Sequence, residues 1–107
     1  MRNLGWFGLV TLFAMACGKP SLESSCLRQV DVTCARLFEC NRSGAEFLYG
    51  SQSNCVSQTS NVCNPYKGYF CDDLSSYERC ISDQASAACG TTVTCGASSQ
   101  GSNCKKE

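Results

Sequence analysis

Eleven of the 107 residues are cysteines, and these are the side chains with the most chemistry to offer. From Cys26 onward they follow C-x7-C-x5-C-x14-C-x7-C-x7-C-x8-C-x8-C-x5-C-x8-C. Thiol redox catalysis uses C-x-x-C, and structural zinc is usually held by C-x2-4-C knuckles. No two cysteines here are closer than six positions, so both chemistries give way to disulfide formation, with no metal and no cofactor expected. The expected bridge partners are Cys26, Cys34, Cys40, Cys55, Cys63, Cys71, Cys80, Cys89, Cys95 and Cys104. Histidine is absent altogether. Its absence removes the Ser/His/Asp and Cys/His nucleophile systems and the usual general base near neutral pH, so no enzyme is expected. Nine Lys and Arg balance nine Asp and Glu, which leaves no long-range field to draw in nucleic acid.

The eleventh cysteine, Cys17, follows a different kind of segment. Met1-Arg2-Asn3 is a short cationic start, and Leu4 to Ala16 runs thirteen residues without a charge. A transmembrane helix needs about 20 apolar residues, so residues 1–16 read as a secretory signal peptide rather than a span. A buried core helix is the alternative. Ala14-Met15-Ala16 is a small-x-small cleavage site, and with Cys17 it also resembles a bacterial lipobox, in which the cysteine becomes the mature N-terminus and carries diacylglycerol. Ala14 and Met15 depart from that pattern, which usually has Leu and a smaller residue there. Parity favours lipidation, since ten cysteines then remain to form five bridges, whereas an unmodified Cys17 leaves one reactive thiol in an oxidising compartment. Plain secretion is the competing reading. Gly18 resembles the residue found in lipoproteins sent on to the outer membrane. Residues 17–25 are polar and small, and are expected to form a lipid-anchored tether to a domain at 26–107.

Leu, Ile, Val and Phe supply fourteen of the residues from 17 to 107. That is too little apolar mass for an ordinary core, and bridges of about 2 to 4 kcal/mol each must replace it. The expected fold is all-α, a small disulfide-rich domain of about three short helices with long loops. From Cys26 to Cys40, residues Cys26, Leu27, Val30, Cys34, Leu37, Phe38 and Cys40 share an arc of about 160°, the pattern of an amphipathic helix. Ser51 to Cys63 places Cys55, Val56, Thr59, Val62 and Cys63 on a second helical stripe, written in poor helix formers. The third helix opens on Ser75-Ser76-Tyr77-Glu78, a capping box, carries Tyr77, Cys80, Ile81, Ala85 and Ala88 on one face, and ends at Cys89 with Gly90 as C′. Asn41 to Gly50 and Asn64 to Asp73 read as loops, and Gly90 to Glu107 as a tail tied down only by Cys95 and Cys104.

Ten cysteines allow hundreds of pairings. Equal spacing singles out one feature: Cys26 and Cys34 are eight apart, as are Cys55 and Cys63. An antiparallel helical hairpin would join Cys26 to Cys63 and Cys34 to Cys55; the alternative is that the shared spacing is coincidence.

Cys34-Ala35-Arg36-Leu37-Phe38-Glu39-Cys40, Ser53-Asn54-Cys55-Val56-Ser57-Gln58 and Ser76-Tyr77-Glu78-Arg79-Cys80-Ile81-Ser82-Asp83 resemble the small cysteine-rich lipoproteins of myxobacteria and related Gram-negative bacteria. The resemblance implies short stapled helices behind a lipobox leader, and it implies no particular activity.

Other residues with chemical potential have simpler explanations. Asp72-Asp73 with Glu78 suggests a carboxylate cluster, but no calcium-loop spacing surrounds it, and the charges suit the N-terminus of the third helix. Lys105-Lys106 reads as a solvated tail. Asn41-Arg42-Ser43 is a glycosylation sequon, relevant only in a eukaryotic producer. Tyr66, Lys67 and Tyr69, in a loop bracketed by Cys63 and Cys71, form the candidate binding surface for a protein or glycan partner, against the alternative that Tyr69 and Phe70 fill the core. The leading function is therefore a lipid-anchored envelope protein at the outer membrane, structural or partner-binding, held through acyl chains on Cys17. The alternative is a freely secreted cysteine-rich effector, toxin or inhibitor.

Overall fold

A computed structural model describes residues 18–107. The leader and Cys17 lie outside the described residues. Helix α1 (Leu22–Cys40) is the organising element, and its buried stripe is Leu22, Cys26, Val30, Cys34 and Phe38, one residue in every four. Its start comes earlier than the periodicity suggests, because Ser21 caps it by accepting the Ser24 N–H at 3.2 Å and Leu22 is only 3% exposed. Residues 19–21 are also fixed: the Cys71 N–H donates to the Pro20 carbonyl, Ser21 bridges to Phe70, and Lys19 pairs with Asp72 at 2.8 Å. The expected tether over 17–25 is thus corrected for residues 19–25, which belong to the folded domain. Burial of Leu22 and Ser25 draws the chain onto the domain before Cys26.

The segment expected as a first loop is a helix, α2 (Arg42–Tyr49). Asn41 ends α1 by donating its N–H to the Leu37 carbonyl, then starts α2 by accepting the Gly44 N–H with its side chain. A Cβ at Gly44 would lie 2.7 Å from Asn41 Nδ2, so the glycine leaves room for the cap. Gly50 closes α2 at φ +84°, a conformation few other residues adopt. Helix α3 (Gln52–Thr59) is capped by Ser51 and runs on as a 3₁₀ helix, Ser60–Tyr66. Thr59 and Ser60 donate their hydroxyls to the Cys55 and Val56 carbonyls where the α-helix gives way to the tighter one, and Pro65, with no N–H to give, lies inside the 3₁₀ segment. The second helix is consequently α-helical only to Thr59. Val62 is 59% exposed, while Cys55 and Cys63 are buried.

Among the described residues the fold has four α-helices and a two-stranded sheet, which corrects the all-α reading with three helices. Strands β1 (Tyr69–Cys71) and β2 (Cys104–Lys106) pair antiparallel, with Tyr69 opposite Lys106, Phe70 opposite Lys105 and Cys71 opposite Cys104. The tail reaches β2 through a 3₁₀ helix, Ala97–Asn103, whose Ala97 is buried. Helix α4 (Ser75–Ser86) lies against α1 and buries Tyr77 and Ile81. It stops before Cys89, leaving Ala85 and Ala88 exposed and Gly90 in a later turn. The expected capping box does not form. The Asp73 carboxylate, a charged acceptor, takes the Ser75 N–H at 2.9 Å, and Glu78 turns instead to Ser25 and Arg28. Six of the fourteen buried apolar residues are cysteines, so the bridges form much of the core that they staple.

Candidate functional site

Every cysteine among the described residues is in a bridge: Cys26–Cys63, Cys34–Cys55, Cys40–Cys89, Cys71–Cys104 and Cys80–Cys95. The first two are the hairpin rungs anticipated from equal spacing, with Cα separations of 5.7 and 5.9 Å. They join α1 to α3 and to the 3₁₀ helix that follows it. The other three draw in the ends of the fold. Cys40–Cys89 ties the C-terminus of α1 to the segment beyond α4, Cys80–Cys95 ties α4 to the tail, and Cys71–Cys104 joins the two strands.

The loop from Asn64 to Phe70 is held at both ends, by Cys63 to α1 and by Cys71 to β2. Tyr66 closes the 3₁₀ helix, Lys67 is exposed beside it, Gly68 turns the chain, and Tyr69 begins β1. The two tyrosine rings are half-buried. Together with Leu22, Pro65, Ala97 and Ser98 they line an open groove of about 230 Å³. The rings pack against the core beside Leu22 with one side and meet solvent with the other. Such a surface offers apolar area with polar tips and an adjacent ammonium group, suited to contact rather than to proton transfer.

The acidic residues do not converge. Asp72 pairs with Lys19, Asp73 accepts from Ser75, and Glu78 accepts from the Ser25 hydroxyl and from Arg28 Nη1 at 2.6 Å. Among the described residues no group of three or more His, Cys, Asp or Glu side chains is placed to hold a metal ion. The hydrogen bond from Lys19 holds the Asp72 carboxyl below the usual carboxylate range and raises the Lys19 ammonium in return. The backbone hydrogen bond from Ser75 lowers Asp73. Burial raises the Tyr77 phenol to about 12.

A second groove, about 250 Å³, lies along α1 above the Cys26–Cys63 and Cys34–Cys55 bridges, with Leu37, Tyr49, Thr59 and Val62 on its walls. Tyr49 belongs to α2, the helix missing from the sequence reading, and so do Phe47 and Leu48, which are 89% and 65% exposed. The signal that marks α2 is the bracket of Asn41 and Gly50, an N-cap residue and a C-cap glycine. Comparison with known proteins finds no matching family model, no similar curated protein and no similar solved structure, so any reading of function rests on these residues.

Proposed function

We propose that this chain is an extracytoplasmic protein anchored to a bacterial membrane by a diacylglyceryl group on Cys17, with a non-catalytic domain that binds a partner or has a structural role. The observation that carries the reading is cysteine parity. All ten cysteines from Cys26 to Cys104 are consumed pairwise, and five bridges in so small a domain belong to an oxidising compartment. Cys17 is the remainder, placed directly after a short apolar leader and small-residue positions. The resemblance to small cysteine-rich lipoproteins supports the same destination, with Gly18 favouring the outer membrane. Two or more acyl chains give stable anchoring, at roughly 0.8 kcal/mol per buried methylene.

The intact mass of the mature protein tests this reading in one measurement. The expected mass begins at Cys17, includes the acyl groups, and lacks two hydrogens for each bridge. A soluble protein whose Cys17 is unmodified overturns the anchor and leaves free secretion in its place.

A further inference from the structure

We infer that the β1–β2 end of the domain, presenting Tyr66, Tyr69, Phe70, Lys67, Lys105 and Lys106, lies against the lipid headgroup layer while α2 points away from it. This orientation rests on the acyl anchor at Cys17. Its first support is distance. Only Gly18 separates Cys17 from Lys19, a reach of about 7 Å at full extension. Lys19, Pro20 and Ser21 are then fastened to Asp72, Cys71 and Phe70 respectively. A lipid on Cys17 therefore has no flexible tether through which the domain could turn over, and β1 is the part it must hold near the bilayer.

Side-chain chemistry supplies the second support. All four lysines of the chain, Lys19, Lys67, Lys105 and Lys106, are at this end. Half-buried tyrosine and phenylalanine rings accompany them, and such amphipathic side chains suit the boundary between headgroups and acyl chains. Glu23, Asp72, Asp73 and Glu107 are at the same end and offset the lysine charge. The surface is thus not a polybasic adhesive and depends on the anchor to stay in place. The opposite end is set by α1, whose 19 residues span about 28 Å and lead to α2 with its exposed Phe47 and Leu48.

Hydroxyl-radical footprinting of the acylated protein in phosphatidylethanolamine and phosphatidylglycerol vesicles tests the orientation, with the chain from residue 17 carrying Cys17→Ser in solution as reference. Oxidation of Tyr66, Tyr69 and Phe70 is expected to fall severalfold on vesicles, amine labelling of Lys67, Lys105 and Lys106 to fall with it, and oxidation of Phe47 to stay unchanged. The Cys17→Ser chain is expected not to float with the same vesicles. Protection of Phe47, or an unprotected loop in an acylated protein, overturns the orientation and leaves the anchor standing. Protection of the loop in the Cys17→Ser protein as its concentration rises assigns the surface to a second copy instead. A mature protein without acyl groups, read from its mass, overturns anchor and orientation together.

Discussion

The Tyr77 hydroxyl of α4 donates to Gln29 Oε1 of α1 at 2.6 Å, and Gln29 Nε2 donates onward to the Cys95 carbonyl at 2.8 Å. One relay thereby ties α4 to α1 and to the tail. Tyr77 is only 2% exposed, so its ionised form is disfavoured in the folded state. Its pKa is raised to about 12, above the ordinary value of 10.0. A raised folded pKa means that the stability is fully present below about pH 10 and is lost as pH rises through about 12. Thermal melts of the protein should show this alkaline loss. Tyr77→Phe should abolish that step, and should cost about 0.5 to 1.5 kcal/mol at neutral pH for the missing hydrogen bond.

Removing the Cys34–Cys55 bridge tests whether α3 depends on it. The helix is written in Gln, Ser, Asn, Val and Thr, residues with little propensity of their own apart from Gln, and at eight residues it is too short to persist alone. Cys34→Ala with Cys55→Ala should cost about 2 to 5 kcal/mol in denaturant unfolding. Hydrogen exchange should accelerate over residues 52–59 more than over α4. Uniform acceleration would show that α3 is no less stable than the rest.

Glu78 stands between a buried hydroxyl and an exposed cation. Its ion pair with Arg28 is about 40% exposed on both sides and is worth at most about 1 kcal/mol. The Ser25 hydroxyl is the larger concern, since Ser25 is only 5% exposed and depends on Glu78 as its acceptor. Glu78→Ala should therefore cost about 1 to 3 kcal/mol, mostly from the stranded hydroxyl. Adding Ser25→Ala should recover part of that loss, whereas Arg28→Ala in the same background should recover none. Equal effects of the two second mutations in a double-mutant cycle would contradict the assignment.

Gly50 separates space from conformation. A Cβ there would meet only Asn54 Nδ2, at an ordinary 3.5 Å. Its φ of +84° is the obstacle. Gly50→Ala should destabilise the domain by about 1 to 2 kcal/mol through backbone strain, measured as a lower midpoint in guanidinium with an unchanged slope.

Local periodicity carries far when a helix converts it into distance. Cys26 and Cys34 lie about 12 Å apart along α1, and Cys55 and Cys63, also eight residues apart, face them across α3 and its 3₁₀ continuation, so the two rungs were legible as equal spacing in the chain. The stripe of Val30, Cys34 and Phe38 and the burial of Tyr77 and Ile81 were legible for the same reason, because each follows from neighbours a turn or two away. Tertiary packing decided the rest. Cys89 meets Cys40 beyond the end of α4, where Arg36 also donates to the Ala87 carbonyl, a contact between residues 51 positions apart. Cys71 meets Cys104 through a strand pairing across 33 residues, and three-residue strands leave almost no alternation to read. Leu22 is a lone apolar residue in a polar segment, and its burial at 3% follows from the partners that the fold brings around it. Helix α2 has poor propensity over Ser43-Gly44, and the Asn41 and Gly50 caps with the burial of Ala45 override it. Spacing along one helix is a local quantity written in the chain, whereas the meeting of distant segments is set by which surfaces are left to cover once the helices have formed.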